Sequence, residues 1–136
     1  MRRIDYLVVH CTATQPHASV EAIRRYWREE LGWKSPGYHY LIDQWGTIHA
    51  LHSEELLANG VAGYNAKSIH VSYIGGIDKD GKPKDTRTAA QKDSMVQLLT
   101  HLKKKYPKAV IQGHRDFPGV KKACPSFDAK SEYSYL

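Results

Sequence analysis

A chain of 136 residues, 41% hydrophobic and 25% charged, is long enough for one packed core and too short for two comfortable ones, so a single domain over 1–136 is expected. The balance excludes disorder, and no apolar run approaches the roughly 20 residues that span a bilayer, so no membrane partner is expected. A net charge of +6 and a pI ≈ 9.3 imply an acidic partner; nucleic acid is not expected, because the basic residues are dispersed and accompany no recognisable binding motif.

The first ten residues lack the long apolar core and small-residue cleavage site of a secretory leader, so cytoplasmic synthesis without a signal peptide is expected. Within them, Ile4–Val9 reads as an apolar strand that runs straight into His10-Cys11-Thr12-Ala13-Thr14. Strand alternation turns Cys11 away from the face that His10 uses, and with Cys124 as the only other cysteine there is no disulfide framework. Cys11 is read as a small buried apolar residue.

Ser19 followed by Val20–Leu31 predicts an amphipathic helix, with Val20, Ile23, Tyr26, Trp27 and Leu31 on its apolar stripe, Ser19 as cap and Gly32 as stop. Trp33, beyond the helix and before Lys34-Ser35-Pro36-Gly37, is the tryptophan better placed to touch a ligand, since helix-stripe aromatics such as Trp27 are usually core. Tyr38–Asp43 and Thr47–Leu51 read as strands of a hairpin around Gln44-Trp45-Gly46. In that strand Tyr38 and His39 point to opposite faces, so only one of the two is expected to reach a given site, and a core or supporting role is the default for His39.

Ser53–Gly60 reads as a loop or short helix, and Val61–Lys67 as a Gly- and Asn-bearing loop. Ser68–Gly75 reads as a central strand with Ile69, Val71 and Tyr73 on one face and His70, Ser72 and Ile74 on the other. Asp78–Thr86 reads as a surface loop without evident chemistry. Thr88–Gln91 has capping-box spacing, and Met95, Leu98, Leu99, Leu102 and Tyr106 carry a helical stripe up to Pro107. Ala109–Ile111 reads as a buried strand leading to His114, and a Gly/Pro-bearing loop continues to Cys124. Residues 129–136 read as a fraying last turn. Strands separated by helices, with one hairpin, give an α/β fold: a central mixed β-sheet flanked by helices.

Two apolar strands each end in histidine. If they run side by side in the same direction, His10 and His114 project from neighbouring ends and Cys124 folds back over them. Three protein ligands leave one position open, which is the arrangement of a catalytic zinc ion (Zn2+) rather than a structural one.

These blocks resemble the zinc-dependent N-acetylmuramoyl-L-alanine amidases of type 2, the family that includes bacteriophage T7 lysozyme and the peptidoglycan recognition proteins. The resemblance is carried by Val9–Thr14, Gly37-Tyr38-His39-Tyr40, Gly46-Thr47, Gly63-Tyr64-Asn65, Ser68-Ile69, Gly75-Gly76-Ile77-Asp78 and Lys122–Asp128, in that order along nearly the full chain. It implies metal ligands at His10, His114 and Cys124, and active-site roles for Tyr38 and Lys122. It implies hydrolysis of the amide between the lactyl group of N-acetylmuramic acid and L-alanine, with peptidoglycan or muropeptides as partner.

The stretch that carries Asn65 borders the family's substrate groove, so Asn65 is expected to contact the stem peptide. His70 stands where glycine is common in the family; narrowing the substrate pocket, supporting a ligand from behind and simple accommodation are all open. A monomeric endolysin, or a wall-recycling amidase acting on cytoplasmic muropeptides, is expected. The rival is a non-catalytic peptidoglycan-binding module, from which the retained Cys124 separates this chain.

Overall fold

The computed structural model describes residues 2–136, and its elements form one mixed sheet with helices on its faces. The strands are β1 (Tyr6–Cys11), β2 (Tyr40–Ile42), β3 (Ile48–Ala50), β4 (Ser68–Tyr73) and β5 (Val110–Gly113). Their order is β3-β2-β4-β1-β5; only β2 and β3 pair antiparallel, and β1 is flanked by parallel partners on both sides. That explains the unbroken Leu7-Val8-Val9 run, since all three are fully buried beneath cover on both faces.

One face is covered by helix α2 (Ala89–Lys105). Thr88 caps it through a complete capping box with Gln91, as the spacing predicts. Met95, Leu99 and Leu102 are fully buried against Leu7, Val9, Ile69 and Val71, each contributing about 1.5–3 kcal/mol by leaving water. Cys11 joins this cluster, on the face away from His10.

The opposite face is covered by helix α1 (Val20–Arg25), the turn after it, and the loops around 61 and 117, with Ile23 and Trp27 on Leu41 and Ile74, and Phe117 on Val8. The expected α-helix to Leu31 gives way at Tyr26–Glu30 to a π-helical turn, closed by Leu31 N–H donating to the Tyr26 carbonyl at 3.2 Å. The wider turn breaks the 3.6-residue period, so Trp27 is buried while Tyr26 (54%) and Leu31 (41%) face solvent, against the predicted stripe. Gly32, at φ +67°, ends the segment as expected.

The C-terminal segment overturns a second expectation. Helix α3 (Ala129–Glu132) is tied into the core: Ala129 and Tyr133 are buried, and the buried Arg87 binds Glu132 (2.7 and 2.9 Å), Asp85 (2.9 and 2.8 Å) and the Tyr133 hydroxyl (2.8 Å). The Arg87 guanidinium also lies 3.4 Å from the centroid of the Phe127 ring. Among the described residues no helix is long and apolar enough to cross a membrane.

Candidate metal centre

In a largely parallel sheet, side chains at the carboxyl ends of neighbouring strands converge on a crevice. His10 is the fifth residue of β1, and His114 follows β5 directly, opening a single 3-10 turn (His114–Asp116). Because β1 and β5 pair in parallel register, with Val9 opposite Gly113, the two imidazoles meet with ring centroids 4.9 Å apart. The following loop returns to them: Arg115 N–H donates to the Cys124 carbonyl at 2.9 Å, bringing the Cys124 sulfur beside β1.

One donor atom each from His10, His114 and Cys124 lie within 4.8 Å of one another, and His10 Nδ1 is 3.8 Å from Cys124 Sγ. Ligands of a tetrahedral zinc at about 2.0–2.3 Å stand roughly 3.5 Å apart, so the trio fits that ion with small adjustment. Burial, with Lys122 next among the causes for His114, holds both imidazoles below the usual histidine range, so each offers a neutral lone pair. The hydrogen bond with Cys11 and burial push the Cys124 thiol up, a penalty that a bound cation reverses. The Cys11 backbone N–H already donates to Cys124 Sγ at 3.2 Å, a contact suited to a thiolate.

The trio lines a cleft of ≈ 180 Å³ with Tyr38, Lys122, Trp27, Trp33 and Asn59 on its walls. Tyr38 precedes β2, which starts only at Tyr40, so strand alternation does not separate Tyr38 from His39. Its ring is 5.0 Å from that of His10, and its hydroxyl donates to the Cys11 carbonyl at 3.1 Å. Burial, then the Cys124 sulfur, raise the Tyr38 pKa far above the ordinary phenol value. Lys122 supplies the cleft's ammonium group, and no acidic side chain lines it among the described residues. Trp33 stacks on Trp27 with centroids 6.5 Å apart, and both line the cleft.

Two expected substrate contacts lie elsewhere. His70 is fully buried behind His10 and has no surface to offer a ligand. Asn65 does not line the cleft; its Oδ1 accepts the backbone N–H groups of Gly60 (3.1 Å) and Val61 (2.8 Å). On that side the cleft is lined instead by Asn59-Gly60, the end of a stretch the sequence offered as a loop or short helix, with nothing in its composition to distinguish it.

The profile of a family described as N-acetylmuramoyl-L-alanine amidase matches residues 1–127. The endolysin of Escherichia phage T7 is 42% identical over 128 residues, covering 93% of this chain and 83% of that protein. The Ph2119 endolysin from a Thermus scotoductus bacteriophage superposes with a TM-score of 0.81 at 27% identity, over 92% of this chain and 79% of that one. Bumblebee PGRP-SA shares the fold, with a TM-score of 0.80 at 19% identity over 98% and 82%.

Proposed function

Because the chain belongs to the N-acetylmuramoyl-L-alanine amidase family and is an amidase acting on peptidoglycan, we propose that His10, His114 and Cys124 hold the zinc ion on which this hydrolysis depends. The convergence of three neutralisable donors at the floor of a cleft, with one side open, carries this reading. A zinc ion held there supplies Lewis acidity and brings the pKa of a coordinated water toward about 7.

The remaining steps belong to side chains. The scissile bond joins the lactyl group of N-acetylmuramic acid to L-alanine. Lys122 places an ammonium where the carbonyl oxygen gathers charge, and the Tyr38 hydroxyl donates a hydrogen bond to the reacting oxygens. No carboxylate lines the cleft among the described residues, so the stabilisation of charge by these two side chains carries much of the catalysis. Trp33 gives the sugar a flat apolar wall. Residues 1–136 are read as one monomeric catalytic domain that acts on the cell wall, as an endolysin does.

The test is release of new L-alanine amino termini from purified murein by metal-replete, chelator-treated and Cys124→Ser protein, with zinc measured in parallel. Release by the replete form alone supports the reading. One zinc per chain with no cleavage of any murein would replace it with a binding module.

A further inference from the structure

Behind His10, on the side away from the cleft, a line of polar contacts runs through the buried interior. His10 Nε2 is 2.8 Å from His70 Nδ1, and His70 Nε2 is 2.8 Å from Asn65 Oδ1. Asn65 Oδ1 also receives two backbone N–H groups, those of Gly60 and Val61. Backbone amides can only donate, so this end of the Asn65 side chain is the oxygen.

The directions then follow in sequence. An oxygen acceptor at Asn65 requires His70 Nε2 to carry a hydrogen. His70 is fully buried between His10 and Asn65, neither of them an anion, so it is the neutral imidazole and its Nδ1 is a lone pair. His10 Nε2 must therefore donate, and the His10 lone pair is left on Nδ1, the atom that faces Cys124 Sγ at 3.8 Å.

The ring of His70 is itself held. Its plane lies 9° from that of His39 at a centroid distance of 5.9 Å, and its backbone N–H donates to His39 Nδ1 at 3.0 Å while His39 Nε2 donates to the Leu56 carbonyl at 2.8 Å. Room for the ring comes from Gly60: a Cβ there would lie 2.2 Å from His70 Nδ1. The glycine and the histidine are complementary, one vacating the volume that the other fills.

We propose that His70 and Asn65 are positioning residues which fix the tautomer and orientation of His10, so that two backbone amides of the cleft wall dictate which nitrogen faces the metal position. The proposal rests on the zinc reading for its consequence, but not for its geometry. Partners of this kind raise metal affinity by about 10–100-fold.

The experiment compares wild type, His70→Phe and His70→Gln for zinc affinity by chelator competition, with circular dichroism as a check on folding. Nitrogen-15 NMR of the metal-free wild type reads the His10 tautomer. His70→Phe keeps the bulk and loses the acceptor, so zinc binding should weaken about 10–100-fold. His70→Gln, whose amide accepts at one end and donates at the other, should recover most of that loss. Gly60→Ala, which evicts the ring, should resemble His70→Phe. Unchanged zinc affinity in folded His70→Phe, or a proton on His10 Nδ1 in the metal-free protein, would overturn the proposal. A wild-type chain that binds no zinc would defeat the metal reading alone, while the tautomer measurement, made without metal, would still decide the relay.

Discussion

Replacing Arg87 by methionine should destabilise the fold severely, although Arg87 lies in no cleft and touches no reactive group. Its side chain is 1% exposed and meets two carboxylates, a phenol and an aromatic face. Removing one member of a buried ion pair typically costs 3–5 kcal/mol, because the partner charge is stranded. Here the Asp85 and Glu132 side chains are 31% and 45% exposed and can recover water, which places the expected loss near the bottom of that range, about 3 kcal/mol. For a chain of this size that corresponds to a fall in Tm of about 10 °C.

The assay is thermal and urea unfolding followed by circular dichroism. Arg87→Lys, which keeps the charge and loses the two-pronged fork, should fall between the two. A drop in Tm below about 3 °C for Arg87→Met would refute the claim that this cluster anchors the C-terminal segment. The pH dependence gives a second check. The Arg87 hydrogen bond, opposed by burial, holds Glu132 below the usual carboxylate range; at Asp85 the cost of burial is outweighed by its bonds to Arg87, with the same result. Depressed folded values mean stability that is present above the ordinary carboxylate pKa of about 4 and lost as pH falls through the lower folded values. Arg87→Met should flatten that acid limb.

Three further outcomes are expected. Tyr38→Phe preserves packing against Trp27 and removes one donor, so kcat on a soluble muropeptide should fall about 10²-fold with KM and zinc content unchanged; a large rise in KM instead would move Tyr38 from reaction to binding. Lys122→Ala should lose about 10²–10³ in kcat with zinc retained, and near-full turnover would remove Lys122 from the mechanism. Trp33→Ala should raise KM for glycan-bearing substrate by about tenfold and leave kcat alone, since a stacking wall acts equally on ground and transition states; an unchanged KM would make Trp33 packing for Trp27 only.

The convergence of the two histidines was legible because strand ends are marked by abrupt changes of composition: Val9 to His10 and Ile111 to His114 both pass from buried apolar to polar within three residues. Alternation also turned Cys11 away from the face of His10 and set His70 opposite Ile69, Val71 and Tyr73, and the structure has both arrangements. Three things were hidden. A π-helical turn carries no composition of its own, so the solvent positions of Tyr26 and Leu31 were misassigned. Arg87 sits in a polar stretch whose meaning depends on residues 45 and 46 positions later. The link between Gly60 and His70 is one of volume, and no pattern of polarity along the chain reports it.

The interior position of β1, between β4 and β5, bears on when this enzyme comes into being. Its two neighbours are built from residues 68–73 and 110–113, so β1 lacks its second partner, the strand that leads to His114, until more than three quarters of the chain exists. The hairpin of β2 and β3 and helix α2 can form from local contacts, whereas β1 must close two long loops. A nascent or truncated chain thus has no half-made centre: residues 10, 114 and 124 meet only when the whole topology has closed. Hydrolytic competence is the last thing acquired in assembly, and any metal bound there favours the completed fold over every earlier intermediate.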